Sequence, residues 1–296
     1  MDSQMRQAAV REHVKKKFKG KQTLQSKVHP HQPESVEREY QRVTNAYMRL
    51  LSKLVTDTMI PEIRKAAKAE LPPDYYRHDD MDDLYRRLER AFEKCEKELE
   101  RKACSFDLYK RISEVAALTV KLSIKDWKRM VKETVGIDLL EDYYNGDFFK
   151  RALEEWTREN VDLIKTIPHQ QLDKMREIVL EGYRNGTTTT KIVKAIQKEY
   201  GTGRSHARLI ARDQISKLNS EITHKQQQDA GVQEYIWSDS GDSRVRSGHH
   251  RLNGKKFRWD DPPVVDERTG RRCHPGEDFQ CRCVAIPVFD IDTLDL

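Results

Sequence analysis

A chain of 296 residues, 35% charged and 36% hydrophobic, has room for two modest domains or one domain with an extension. Apolar residues are scarce for a globular chain, so its core must come from amphipathic helices, and no run approaches the roughly 18 apolar residues of a membrane-spanning helix. The formal charge of +6 sits wholly in residues 1–29, where Arg6, Arg11, Lys15, Lys16, Lys17, Lys19, Lys21 and Lys27 are offset only by Asp2 and Glu12, and residues 30–296 are formally neutral.

No apolar stretch follows these cations, so a secretory signal is not expected. Residues 1–29 read as a basic flexible arm attracted to polyanions, genomic DNA foremost, through Arg11, Lys15, Lys16, Lys17, Lys19 and Lys21. A solvated tail without a partner is the plain alternative.

Residues 30–140 read as a helical region. Val36, Tyr40, Val43, Tyr47, Leu50 and Leu54 alternate spacings of four and three, which places them on one helical stripe. The near-3.5 period suits a docking face for a partner helix, with packing against the next helix as the alternative. That next helix carries Met81, Leu84, Leu88, Phe92, Cys95 and Leu99 on one face, so Cys95 is expected to be an inert core residue, and Cys104 similarly. Leu71-Pro72-Pro73 separates the two. Further helices are expected over 106–122, 124–135 (ended by Gly136), 147–165 and 169–184, with a short one after Gly186-Thr187-Thr188 and a long one from Ser205, its cap, to Asp229.

After Gly231 the pattern changes. Gln233 to Trp237 reads as a strand, Asn253-Gly254 as a hairpin turn, Phe257 and Trp259 as alternating strand positions, and Cys283 to Pro287 as a closing strand. Residues 288–296 read as a short acidic tail. The expected fold is therefore mostly α: an extended multi-helix N-terminal and central region, then a small α+β C-terminal module with short antiparallel strands and long loops.

Residues 204–287 carry an ordered set of short motifs. These are Ile210-Ala211-Arg212-Asp213, then Gly231, Trp237, Asp242, Arg244-Val245-Arg246, His249, Leu252 and Gly254, and finally His274-Pro275-Gly276, Cys281-Arg282-Cys283 and Pro287. In this order they resemble the head-morphogenesis module of the Mu F-like phage family, whose preceding region fits from about residue 141. The module is accordingly bounded at 141–287. The resemblance implies a minor head protein of a tailed bacteriophage, inside the virion near the portal vertex and in the host cytoplasm during assembly. It implies roles in head morphogenesis and DNA packaging, with portal protein and major capsid or scaffolding protein as partners, and neither membrane anchor nor enzymatic activity. Some relatives carry a further toxin domain after this module; with so few residues after Pro287, none is expected here. Cys273 and the spacer Glu277 to Gln280 depart from the family pattern.

The same residues have a chemical reading. Cys281 and Cys283 share one face of an extended segment. With Cys273, and with His249 or His274, they form a Cys/His set suited to one structural zinc ion. A disulfide and free buried thiols stay open as alternatives. Asp242 is expected to pair with Arg244, Arg246 and Arg282. Trp237 belongs to the core of the module, and Gly254, Pro275 and Gly276 shape its turns. Arg204, Arg208 and Arg212 form a ladder expected to pair with carboxylates such as Asp213 and Glu221. Two other functions are weighed beside the assembly role: a DNA-binding internal protein packaged or ejected with the genome, and, more distantly, a metal-dependent nuclease using His249, His250, Asp242, Glu277 and Asp278.

Overall fold

The computed structural model describes residues 12–31, 33–68, 78–139, 147–185 and 187–295. Arg11, the Leu71-Pro72-Pro73 break, the start of the 141–287 module and the side chains of Met81 and Leu84 lie outside the described residues. Helical residues 12–18 (α1) lead to β1 (Thr23–Gln25), and α2 (Glu34–Leu54) passes through a π turn at Val55–Met59 into α3 (Ile60–Lys68). There follow α4 (His78–Ser105), α5 (Leu108–Val135), α6 (Asp147–Arg184) and α7 (Thr189–Asp229). The C-terminal part carries β2 (Glu234–Ser238), α8 (Ser247–Leu252), β3 (Lys256–Arg258), β4 (Val264–Asp266), β5 (Arg271–Arg272) and β6 (Val284–Asp290). This is the expected class, a helical region followed by short antiparallel strands with long connections.

Three expected helix breaks are absent. In α5, Ser123 is buried and its hydroxyl donates to Gln226 Oε1 (3.1 Å), so a polar residue there marks packing rather than an end. In α6, Pro168 sits mid-helix although it removes a backbone donor, a loss of about 3 kcal/mol in an isolated helix. The flanking Ile167 and Leu172 are buried, and their packing keeps the helix continuous. In α7, Ser205 caps nothing: its hydroxyl donates back to Gly201 O (3.3 Å). Gly203 is there because Gln171 presses on it; a Cβ at 203 would collide with the Gln171 amide, whose Nε2 donates to Glu199 O (2.9 Å).

The chain divides into two compact units, one of Arg38–Glu114 and Thr157–Ala211, the other of Met1–Glu37, Val115–Trp156 and Arg212–Leu296. In the first, Met48, Leu51 and Leu54 pack with Leu88, Phe92, Cys95 and Leu99 of α4 and with Leu172, Met175 and Val179 of α6. Tyr40 and Tyr47 are also buried, the Tyr40 hydroxyl donating to Asn160 Oδ1 (2.8 Å). The expected docking stripe is thus covered from within the chain. A near-3.5 period marks any helix packed in a bundle as readily as one awaiting a partner. Cys95 is buried as expected, with its thiol 3.8 Å from Leu54 O, whereas Cys104 is exposed.

The second unit is built on a four-stranded antiparallel sheet in the order β1-β6-β2-β3, with β4 and β5 as a separate pair. Of the expected arm, residues 12–29 are described, and they include α1 and the outer strand of this sheet. Leu24 pairs with Phe289 and Gln25 with Val288, and Val14 and Phe18, one helical turn apart, are both buried. Lys15, Lys16, Lys17, Lys19 and Lys21 are exposed on this ordered element. Charge identified the face turned to solvent and hid the two apolar residues on the other. The acidic tail is likewise partly ordered: the Thr293 hydroxyl donates to Gly231 O (2.8 Å) and the Asp295 N–H to Ala230 O (3.0 Å). Gly231, at φ +73°, leaves no room for a Cβ beside Thr293 O.

Candidate metal centre

The polar face of α7 positions the loop between β5 and β6. Ser220 Oγ donates to Pro275 O (2.6 Å), Ser216 Oγ donates to Cys281 O, and Asp213 Oδ1 accepts the Gln280 N–H (2.8 Å). Gly276 has φ +90°, and a Cβ there would meet the Ser220 Cβ at 2.9 Å. The His274-Pro275-Gly276 element is therefore the place where the loop crosses α7 at backbone distance. Gln227 clamps the other side, donating to Ala285 O (3.0 Å) and accepting from Trp259 Nε1 (3.0 Å).

Helix α8 lies inside the connection from β2 to β3. Asn253-Gly254 ends that helix, with the Gly254 N–H donating to Trp237 O (2.8 Å), and so is not a two-residue hairpin turn. A helix interposed there carries His249 beneath Trp237, the rings edge to face at 5.4 Å. The core around it comprises Tyr235, Trp237, Trp259, Val265, Cys281, Cys283 and Ala285.

His249, Cys281 and Cys283 converge in this core. All three are buried, and their ligand atoms lie within 4.8 Å of one another. His249 Nδ1 is 3.4 Å from Cys281 Sγ and 3.5 Å from Cys283 Sγ. A tetrahedral ion with bonds of ~2.3 Å to sulfur and ~2.05 Å to nitrogen separates its S and N ligands by roughly 3.6 Å. Both S–N separations are close to that value, and the group could hold a metal. The other imidazole nitrogen, Nε2, is 3.0 Å from Asp278 Oδ2, an arrangement that orients a ligating histidine and raises its basicity.

Electrostatics favour one thiolate. The hydrogen bond with Cys283 and the neighbouring His249 lower the Cys281 pKa to about 5 despite burial, and the same bond together with burial pushes Cys283 up. Burial disfavours a charged His249, but Cys281 and Asp278 together outweigh it and raise its pKa. Asp278 is almost wholly buried and also receives Arg246 (3.2 Å) and Arg271 (3.1 Å).

Two of the five expected ligands stay outside the cluster. His274 Nδ1 is 2.8 Å from the Tyr235 hydroxyl, and its ring packs against Trp259. Cys273 is half-buried at the edge of the core, held by its N–H to Pro263 O (3.3 Å). Proximity in sequence favoured both, yet the converging group is made by His249, Cys281 and Cys283. Asp278 is legible in the sequence only as one of several polar loop residues that a nuclease could use, not as the partner of His249. Ser216 and Ser220 read as ordinary helix-surface positions.

Arg282 holds Asp242 at 2.5 and 2.7 Å, with Arg244 adding a contact at 3.1 Å, and Arg282 foremost keeps the Asp242 carboxyl well below the usual carboxylate range. Arg246 turns to Asp278 instead of Asp242. On α7, Arg212 is 3.7 Å from Glu37, and Asp213 pairs with Lys217 (2.6 Å), while Arg204 and Arg208 are exposed. Arg212 thus pairs with a carboxylate on a neighbouring element, as expected of the ladder, while Asp213 is taken by Lys217 one helical turn away.

Among the described residues no helix is long and apolar enough to cross a membrane. No solved structure matches the chain significantly. An uncharacterised protein of Haemophilus influenzae is 36% identical over 160 residues, covering 54% of this chain and 34% of that protein. The chain therefore spans about a third of the length of this curated relative. Residues 173–286, which include α7, the loop it clamps and all three converging ligands, match the family described as phage Mu protein F like protein. The chain thus carries a phage Mu F-like domain, and the candidate metal centre lies within it.

Proposed function

We propose that the protein is a minor head component of a tailed bacteriophage that acts in head morphogenesis and DNA packaging. It works at the portal vertex, on the inner side of the head, with the portal protein and the major capsid or scaffolding protein as partners. The match of residues 173–286 to the Mu F-like family carries this reading. The role is structural and not enzymatic. Locating the chain in an asymmetric reconstruction of the virion tests it: density at the portal vertex is expected, and absence of the protein from purified heads and assembly intermediates would refute it.

A DNA-contacting role is the second reading, supported by the exposed row Lys15, Lys16, Lys17, Lys19 and Lys21 on the N-terminal element. An ordered cationic face loses less conformational entropy on meeting phosphates than a free arm would.

Within the domain, His249, Cys281 and Cys283 bind one zinc ion. Two thiolates and an imidazole suit zinc, and such a site contributes folding free energy to a small, loop-rich module. Metal analysis of protein purified without chelator, with thiols counted under denaturing conditions, tests this. About one zinc per chain with all cysteines reduced supports it. Metal-free protein with fewer free thiols than cysteines would establish a disulfide instead.

A further inference from the structure

The three converging ligands leave a fourth coordination position, and its surroundings have a definite chemistry. A cavity of about 200 Å³ is lined by His249, Cys281 and Cys283 themselves and by Arg212, Arg244, Arg246 and Arg282. Among the described residues Ser240, Val245 and Gln280 complete the lining, and none of these residues is a carboxylate. The carboxylates that pair with these arginines, Glu37, Asp242 and Asp278, all lie outside the lining. The cavity is several times the ~30 Å³ of one water, so a single water ligand would not fill it. It is smaller than the roughly 300 Å³ at which pockets for drug-sized molecules begin. Its size and sign select a small polyatomic anion.

We propose that a zinc ion at His249, Cys281 and Cys283 keeps its fourth position open to this cavity, and that the cavity binds a phosphate group. The proposal rests on the zinc reading above and changes its character, from a closed structural site to one with an exchangeable ligand. Two thiolates formally neutralise the zinc, so an anion approaching it meets no net negative charge, while guanidinium groups approach from three chain segments. A carboxylate that gave one oxygen to the metal would have one left for those donors; a phosphate monoester has more. A phosphodiester inside a duplex has only two unbridged oxygens and is flanked by sugars, so it offers the metal and the guanidinium donors fewer free oxygens than a phosphate monoester does. The phosphate therefore comes either free from solution or from the end of a nucleic-acid strand.

The test uses the full chain loaded with zinc, and separately with cobalt(II), in phosphate-free buffer. Inorganic phosphate is titrated by calorimetry and by the visible bands of the cobalt form. Saturable binding at one phosphate per metal and shifted cobalt bands are expected. Arg244→Ala, which removes a mostly exposed side chain, should weaken binding about tenfold with metal content unchanged. An oligonucleotide with a 5′ phosphate is then compared with the same strand ending in a 5′ hydroxyl. Tighter binding of the phosphorylated strand identifies a strand end as the source, and equal binding identifies free phosphate. One metal per chain with no phosphate heat and unmoved bands overturns the proposal and leaves the zinc reading intact. Loss of one thiolate's share of the cobalt charge-transfer intensity in Cys273→Ser would show that Cys273 closes the site, which also overturns it. Failure to bind any metal removes the zinc reading, and this proposal with it.

Discussion

Asp278 offers the sharpest test of the centre, through the substitution Asp278→Asn. Its side chain is 1% exposed and accepts from four directions: His249 Nε2, Arg246, Arg271 and, at Oδ1, the Phe279 N–H (2.9 Å). Asparagine keeps the shape but has one acceptor oxygen and an NH₂ group that must face donors. Breaking a fully buried charge pair costs about 3–5 kcal/mol. Here Arg246 and Arg271 are 47% and 39% exposed and can return to water, so the expected loss is nearer ~2–3 kcal/mol. Removing the group that orients a ligating histidine also weakens metal binding by roughly 10–100-fold. Urea unfolding of metal-free protein reads the first effect, and chelator competition of the zinc form reads the second. If the Asp278→Asn variant holds zinc as tightly as the parent, His249 is not a ligand held by Asp278, and the reasoning fails.

Phe18→Ala should destabilise its unit by about 3 kcal/mol, because the ring is 1% exposed. A free arm would register nothing in the same unfolding experiment. Replacing Lys15, Lys16, Lys17, Lys19 and Lys21 by alanine should flatten the salt dependence of duplex binding by a log–log slope of at most about 4.5 without altering the melting temperature. An unchanged slope would place any DNA contact elsewhere. His224 and His274 are both held below the ordinary histidine pKa, chiefly by burial, with His224 stacked on Trp259 at 4.0 Å. Their unfolded forms therefore take up protons first, and stability present above pH ~6.5 is lost as pH falls through and below that value. His224→Phe should flatten the fall in urea midpoint between neutral and mildly acid pH, and an unaltered profile would count against the assignment. Gly203→Val should destabilise the helical unit by about 1–3 kcal/mol, since a Cβ there displaces the Gln171 amide from its bond to Glu199 O. A near-neutral change in urea unfolding would show that the two helices separate easily.

Helix stripes, the change at Gly231 and the two inner strands were legible from sequence because each is a local pattern with its own period. So was the ordered motif set from Ile210 to Pro287. The stripes named most of the buried residues, though Leu50 is half-buried and Met48 and Leu51 were missed, and they did not say what covers them, since periodicity specifies a face and carries no information about its neighbour. Continuity of α6 through Pro168 goes with the burial of the flanking Ile167 and Leu172 in the core, and that of α7 through Gly203 with its contact to Gln171, a residue far from it in the chain. The ordered β1 was hidden for a similar reason: Thr23 to Gln25 has no strand pattern of its own and is fixed by pairing with β6. At the centre, sequence supplied five plausible ligands, and tertiary structure brings three of them together. His249 arrives on α8, Cys281 and Cys283 on the loop into β6, and the clamp of Ser216, Ser220 and Asp213 sets their separation. A metal ligand set depends on distances of a few ångströms between segments, which residue order alone does not encode.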